Sequence, residues 1–140
     1  MKIVLAADGS KFTKKALAFL VTHESLAGPG DEVIVVHVQP ALPPRVRSAV
    51  GAEIARNYQT EEAEKVLAPI RRFLDKHDIT YRAEWSVGHA HEQIIKAAKK
   101  AKAHMIVMGT HGHGLIGRAF LGSVAQKIVT EADVPVMLVK

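Results

Sequence analysis

The chain has 140 residues, enough for one domain with a substantial core, and its balance of 48% hydrophobic and 24% charged residues is typical of a soluble globular protein. It has no cysteine, which excludes disulfides and thiolate metal sites, and no apolar run approaches the roughly 20 residues of a membrane-spanning helix. The net charge of +5 comes from dispersed basic residues with few aromatics among them, so we expect neither nucleic acid nor a membrane as a partner. This composition fits a cytoplasmic protein.

The first third of the chain alternates strand and helix patterns. Residues 3–7 form an unbroken apolar run of strand length that ends at Asp8. Apolar residues at helical spacing follow, and the sequence Gly-Pro-Gly at 28–30 ends that helix. Residues 32–38 are again almost wholly apolar and predict a second buried strand.

The middle of the chain predicts a loop, a long helix and a strand. Residues 39–51 contain three prolines and predict a loop. Residues 53–77 are amphipathic and predict a helix, which Pro69 should kink or divide. Apolar and polar residues alternate over 80–87, a pattern that favours a strand nearer the sheet edge.

The last third repeats the alternation twice. Residues 92–102 predict a helix and residues 103–108 a short apolar strand. Residues 123–131 predict the last helix, and residues 134–139 the final strand. Pro135 lies near the start of that strand and favours a position at the edge of the sheet, because proline cannot donate to a neighbouring strand.

These elements follow the order βαβαβαβαβ, which predicts an α/β fold. Continuous apolar strands that alternate with amphipathic helices indicate a five-stranded parallel doubly wound sheet covered on both faces. Ligands of such sheets bind beyond the carboxyl ends of the strands, where the strand order reverses. The turn at Asp8 and the loop over residues 109–122 both follow strands at that end, so we expect them to form one crevice.

Glycines dominate the segment between the fourth strand and the last helix. Gly109 and Gly112 follow the strand, and Gly122 and Ser123 open the helix. Glycines allow the backbone to approach an anion closely, and the first amides of a helix point at it. Ser123 fits the N-cap position, since Ser123 to Gln126 matches a capping box. The segment therefore predicts a nucleotide bound by residues 109–124.

Two other nucleotide motifs match this segment only in part. Residues 112–117 match G-x-G-x-x-G, but only one strand remains after them, so they cannot open a dinucleotide-binding βαβ unit. Residues 117–123 match a P-loop except that Ser123 stands where the lysine belongs. Without that lysine the usual contact with the β- and γ-phosphates is missing, which argues against a fast NTPase.

The glycine spacing closely resembles the nucleotide motif of the universal stress protein family. The resemblance covers nearly the whole chain, because residues 3–10, 35–38 and 134–139 are similar to the family's first, second and closing strands. Residues 87–95 are similar to its strand-to-helix turn, although Ala90 stands where proline is common. The resemblance implies the Rossmann-like fold of the adenine nucleotide alpha-hydrolase class, with ATP in the crevice.

The resemblance also implies a role for individual residues. Asp8 would contact the ribose or adenosine side, the backbone of Val38 would meet adenine, and the glycine segment would surround the ribose and phosphates, with His111 helping to position them. The full set of implied nucleotide-binding residues is Ala7, Asp8, Val38, Met108, Gly109, His111, Gly112, Gly122, Ser123 and Val124. Any Mg²⁺ would bind through the phosphates of ATP, since this ion prefers phosphate oxygens and water.

Several of these residues also have a purely structural interpretation. Asp8 is suited to cap the first helix, although Ser10 is an equally good N-cap and would leave Asp8 to a ligand. The pairs His89 with His91 and His111 with His113 suggest zinc, but no third ligand is evident, so we expect no metal ligands from the protein. Arg118 is either a contact of the γ-phosphate or a solvated loop residue.

The resemblance further implies a homodimer, formed by antiparallel pairing of the last strands over residues 134–139. An apolar strand at an open edge is usually covered, which agrees with this implication. We therefore expect a cytoplasmic, ATP-binding, nucleotide-responsive regulatory module in the stress response, with an unknown protein partner. The alternatives are a slow ATPase or autokinase that acts on a loop Ser or Thr, and a partner-binding protein that holds AMP or a cyclic nucleotide.

Overall fold

Five parallel strands form the centre of the computed structural model, which describes residues 1–112 and 121–140. The strands are β1 (Lys2–Ala6), β2 (Glu32–Gln39), β3 (Tyr81–Val87), β4 (Met105–Gly109) and β5 (Val136–Val139). The helices are α1 (Lys11–Thr22), α2 (Glu24–Ala27), α3 (Pro44–Val50), α4 (Ala52–Lys76), α5 (Ala90–Ala101) and α6 (Ser123–Glu131). The predicted α/β class and parallel sheet are confirmed.

The sheet has the order β3-β2-β1-β4-β5, with every neighbouring pair parallel. The two strands predicted at an edge, β3 and β5, are the edge strands. From β1 the chain builds the sheet first toward β3, then crosses back to β4 and β5. The strand order therefore reverses between β1 and β4, where a doubly wound sheet opens its ligand crevice.

Two hydrophobic cores hold the helices on opposite faces of the sheet. One core packs α1 and α4 on residues such as Ile3, Leu5 and Val35, and the other packs α5 and α6 on residues such as Val4 and Ile34. Consecutive strand residues point to opposite faces, so an unbroken apolar run is needed to fill both cores. Within residues 1–112 and 121–140, every helix is too short or too polar to traverse a bilayer.

One sequence-based expectation for the middle of the chain was wrong, and of the two effects expected of Pro69, division of the helix does not occur. The predicted loop over residues 39–51 contains α3, which begins at Pro44, and proline is well tolerated in the first turn of a helix. Pro69 does not divide α4, which continues through it to Lys76. Leu67 and Ile70 on either side of Pro69 are buried in the core, so their packing sustains the helix despite the lost backbone hydrogen bond.

Candidate functional site

A cavity of about 310 Å³ opens beyond the carboxyl ends of β1, β2 and β4, under the amino ends of α5 and α6. The crevice expected between the Asp8 turn and the glycine segment is therefore present. All ten residues proposed from the sequence line this cavity: Ala7, Asp8, Val38, Met108, Gly109, His111, Gly112, Gly122, Ser123 and Val124. Strand order brings them together from four separate segments of the chain.

The Asp8 carboxylate organises the turn between β1 and α1. Its Oδ1 accepts hydrogen bonds from the Ser10 backbone N–H at 2.9 Å and from the Thr13 hydroxyl at 2.9 Å, while the Asp8 N–H donates to Thr13 Oγ1 at 3.1 Å. Ser10 occupies the N-cap position of α1 but makes no capping bond with its side chain. Ser10 is therefore the N-cap residue, as expected, but the turn is fixed by Oδ1 of Asp8 and not by the Ser10 hydroxyl.

The glycine that ends β4 and the first glycine after the strand have different roles. A Cβ on Gly109 would lie 2.3 Å from Phe12 Cβ and 3.1 Å from the Phe12 carbonyl carbon, so this glycine lets α1 pack directly against β4. A Cβ on Gly112 would lie 2.5 Å from Asp8 Oδ2. Gly112 therefore keeps the cavity open beside the carboxylate, whereas Gly109 is required by the packing of the fold.

The start of α6 differs from the expected capping box. The helix begins at Ser123, so Gly122 is the N-cap residue, and no side chain caps this end. The Ser123 hydroxyl was expected to occupy the cap, but Ser123 is the exposed first residue of the helix. The Gly122 N–H donates to the Thr110 carbonyl at 2.8 Å, and this bond holds the amino end of α6 at the cavity. The first backbone amides of a helix have no acceptor within the helix.

His111 lies at the mouth of the cavity between two neighbours. Its Nδ1 is 2.9 Å from the Thr110 hydroxyl, and its ring centroid is 5.1 Å from that of Phe12. Because the Thr110 hydroxyl rotates freely as donor or acceptor, the bond accommodates either imidazole tautomer. His111 is thus held by Phe12 of α1 and by Thr110, the residue that follows β4, and it lines the same cavity as Val38.

Val38 supplies the polar backbone groups of the opposite wall. The Val33 N–H donates to the carbonyl of Thr80, just before β3, and the Val36 carbonyl accepts from Ala7. The backbone groups of the odd residues of β2 therefore point toward β3 and those of the even residues toward β1. Val38 therefore directs its N–H and C=O toward β1, which has already ended at Ala6. One donor and one acceptor are presented side by side at the cavity, as the resemblance implied for an adenine contact.

The sequence did not single out six further lining residues, which are Ala6, Thr13, Val36, Ala90, Ile94 and Ala125. Most of them are small or apolar and belong to elements whose periodicity only indicated a core. Ala90 is the first residue of α5 and lines the cavity there. A signal was available for Thr13 alone, since it lies five residues after Asp8 on the first turn of α1.

The histidine pairs do not assemble a metal site within the described residues. The rings of His89 and His91 are 6.4 Å apart, and His91 Nε2 lies 4.0 Å from a carboxylate oxygen of Glu92 and of Glu131. Residues 1–112 and 121–140 contain no cluster of three or more His, Asp or Glu side chains that could hold a metal ion. His113 and Arg118, named from the sequence, lie outside the described residues.

Comparisons with known proteins agree with this architecture. The chain is 37% identical over 140 residues to "Universal stress protein in QAH/OAS sulfhydrylase 3'region" of Thermus aquaticus, covering 99% of this chain and 97% of the relative. Among solved structures it is similar to hypothetical protein MJ0577 of Methanocaldococcus jannaschii, with a TM-score of 0.82, 28% identity, and coverage of 99% and 94% of the two chains.

A second solved structure is similar in fold and carries a ligand. It is the universal stress protein from Archaeoglobus fulgidus in complex with dAMP, at a TM-score of 0.73 and 24% identity, covering all of this chain and 98% of that one. The sequence profile described as "Universal stress protein family" matches residues 1–140. The chain therefore belongs to the universal stress protein family.

Proposed function

We propose that this protein binds an adenine nucleotide, ATP in the cell, and acts as a nucleotide-responsive regulatory module. The observation that carries the proposal is the cavity between β1 and β4, which is lined by Val38 and also by Gly109, Gly112 and Gly122. The Val38 backbone groups suit a base, and the amino end of α6 with its glycines suits phosphate. No other pairing of walls in this cavity offers both features among the described residues.

The chemistry of the base supports adenine in particular. Adenine carries an amino donor next to a ring-nitrogen acceptor, which complements the C=O and N–H that Val38 presents. Apolar side chains of Val36, Ile94 and Met108 line the cavity nearby and suit the flat faces of a purine. The relative from Archaeoglobus fulgidus was solved with dAMP, so a fold of this kind accommodates this class of ligand.

The acidic groups of the site support binding rather than turnover. Asp8 is the one carboxylate among the described residues that line the cavity, and its Oδ1 is held by Ser10 and Thr13. A carboxylate that fixes a turn is poorly placed to act as a general base, and its Oδ2 side faces Gly112 at the cavity. We assign Asp8 to the sugar side of the nucleotide, and any Mg²⁺ to the phosphates.

The proposal includes a homodimer and a protein partner. Residues 136–139 form the open edge of the sheet, and all four are partly exposed, so antiparallel pairing with a second copy would cover them. The Thr110 N–H donates to the Val139 carbonyl at 3.0 Å, which links this edge to the glycine segment. Nucleotide binding is thereby connected to the surface that a second copy or a partner would meet.

The test is identification of the small molecule that copurifies with the protein. Gently purified chain is denatured, and the released nucleotide is identified by mass spectrometry and quantified per chain. We expect an adenine nucleotide, predominantly ATP, at close to one per chain. AMP or a cyclic nucleotide in place of ATP would support binding of an adenine nucleotide but overturn the choice of ATP.

Gly122→Val is the control, because a Cβ on Gly122 would lie 3.2 Å from both His111 Cα and the Thr110 carbonyl oxygen at the wall of the cavity. The variant should lose the nucleotide while its circular dichroism spectrum remains that of an α/β protein. If wild-type protein carries no nucleotide and shows no thermal shift with ATP and Mg²⁺, the proposed function is wrong. Phosphate release well above background would instead favour the slow ATPase.

A further inference from the structure

His37 lies beneath the nucleotide cavity and is held by two hydrogen bonds. It is buried, its Nδ1 lies 2.8 Å from the Ala7 carbonyl oxygen, and its Nε2 lies 2.9 Å from Gln39 Nε2. A carbonyl oxygen only accepts, so Nδ1 carries the proton and donates to Ala7. In the neutral ring Nε2 is then an acceptor, and the Gln39 amide donates to it. The bonds select one tautomer.

In a regular parallel sheet, the Ala7 carbonyl would accept the next hydrogen bond of the ladder between β1 and β2. The Ala7 N–H donates to the Val36 carbonyl at 2.9 Å, so the next bond of a regular parallel ladder would run from the Val38 N–H to the Ala7 carbonyl. Among the described residues that carbonyl accepts from His37 instead. The ladder between β1 and β2 therefore stops one bond early, at the residue that faces the cavity.

We propose that His37 is a positioning residue for base recognition: its bond draws the Ala7 carbonyl out of line with the Val38 N–H, which is then left to the ligand. This inference rests on the proposed function, because it assigns the Val38 N–H to an adenine. Gln39 supports it by holding the ring in the tautomer that donates to Ala7. A side chain without a donor at this position would let the Val38 N–H return to the Ala7 carbonyl, which closes the ladder and removes half of the donor–acceptor pair.

Two variants separate positioning from mere packing. His37→Leu fills the buried space but has no donor for Ala7, whereas His37→Asn keeps an N–H close to the place of Nδ1. The first measurement uses ligand-free protein and follows hydrogen exchange of the Val38 amide by NMR. We expect exchange at Val38 to slow in His37→Leu as its N–H bonds to Ala7, and to stay at the wild-type rate in His37→Asn.

The second measurement is calorimetric titration with AMP and with IMP, whose base has an oxygen in place of the amino group. We expect wild type to prefer AMP, His37→Leu to bind AMP roughly fivefold more weakly, as for one lost hydrogen bond, and the AMP-to-IMP ratio to fall with it. His37→Asn should restore the ratio. A merely destabilising substitution would weaken both ligands in parallel.

The outcomes distinguish this inference from the proposed function. Unchanged Val38 exchange in His37→Leu overturns the role of His37, whether or not nucleotide binds. An unchanged AMP-to-IMP ratio in that variant, with wild type still binding AMP, also overturns it and leaves the proposed function standing. Wild-type protein that binds neither nucleotide contradicts the proposed function, while slowed exchange in His37→Leu would still support the ladder argument.

Discussion

The two ends of the sheet treat their polar groups differently. At the amino end the chain closes on itself: the Lys2 N–H donates to His104 Nδ1 at 3.0 Å, and the His104 N–H donates to the Lys2 carbonyl at 2.8 Å. Asp31 accepts from the Met1 ammonium and from the Gly28 N–H, and the bond with the ammonium holds the pKa of this carboxyl below its ordinary value. At this end, side chains accept hydrogen bonds from backbone N–H groups.

At the carboxyl end the same strands stop short of closing. The ladder between β1 and β2 ends before Val38, and α6 begins without a side-chain cap. Gly112 leaves space beside Asp8 where any other residue would place a Cβ. Backbone groups at the end of a strand or helix that lack protein partners cost free energy unless they bond to water or a ligand. Under the proposed function, the amino end of the sheet contributes stability and the carboxyl end is left open for a ligand.

The largest expected effect comes from a glycine of the binding end that belongs to the fold. In Gly109→Ala the new Cβ would lie 2.3 Å from Phe12 Cβ and close to the Phe12 backbone, so α1 must move away from β4. We expect a loss of about 3 kcal/mol in the free energy of unfolding, at the upper end of the range for overpacked sites. Urea denaturation measures it.

A loss below about 0.5 kcal/mol in Gly109→Ala would show that α1 yields easily, and would place Gly109 with the binding residues instead. The double variant Phe12→Ala with Gly109→Ala serves as a control. It should remain destabilised, because the clash is with the Phe12 Cβ and backbone rather than with the ring.

The second effect is on binding and concerns the neighbouring glycine. In Gly112→Ala the Cβ would lie 2.5 Å from Asp8 Oδ2, its nearest neighbour among the described residues, so the carboxylate must shift. We expect nucleotide affinity to fall about tenfold, equivalent to about 1.4 kcal/mol, because the methyl group and the displaced carboxylate intrude on the cavity. Calorimetric titration with ATP measures the affinity, and urea denaturation should show a smaller loss of stability than in Gly109→Ala. Gly112→Ala with wild-type affinity would contradict this assignment of the two glycines.

Much of the fold could be predicted from the sequence because both sheet faces are covered. Runs such as residues 3–7 and 32–38 have to be apolar throughout, and this pattern is unambiguous. The errors arose where local patterns compete with tertiary packing: the proline-rich segment contains α3, and Pro69 lies inside a helix that buried neighbours sustain. Prolines indicate where a helix is disfavoured in isolation, but not what the core stabilises.

Much of the lining of the cavity could be predicted from the sequence, but its geometry could not. The glycine spacing and the resemblance identified ten residues that the fold places around one cavity. The sequence does not reveal that Gly109 packs against a helix whereas Gly112 lies beside a carboxylate, because the same pattern predicts both as turn glycines. It also gave no indication that His37, two residues before Gln39 on an apolar strand, withholds a carbonyl from the ladder. Such roles depend on which groups meet across the sheet.

The smallest expected effect tests the closed end. His104→Ala removes the acceptor of the Lys2 N–H, and because this end is exposed, water replaces the bond at a cost of about 1 kcal/mol. His104→Asn keeps an acceptor near Nδ1 and should recover most of the loss in urea denaturation. Neither variant should change the affinity for nucleotide, since His104 lies at the opposite end of the strands from the cavity. Weakened binding in His104→Ala at unchanged stability would mean that the two ends are coupled through β1, and that the division between a stabilising and a binding end fails.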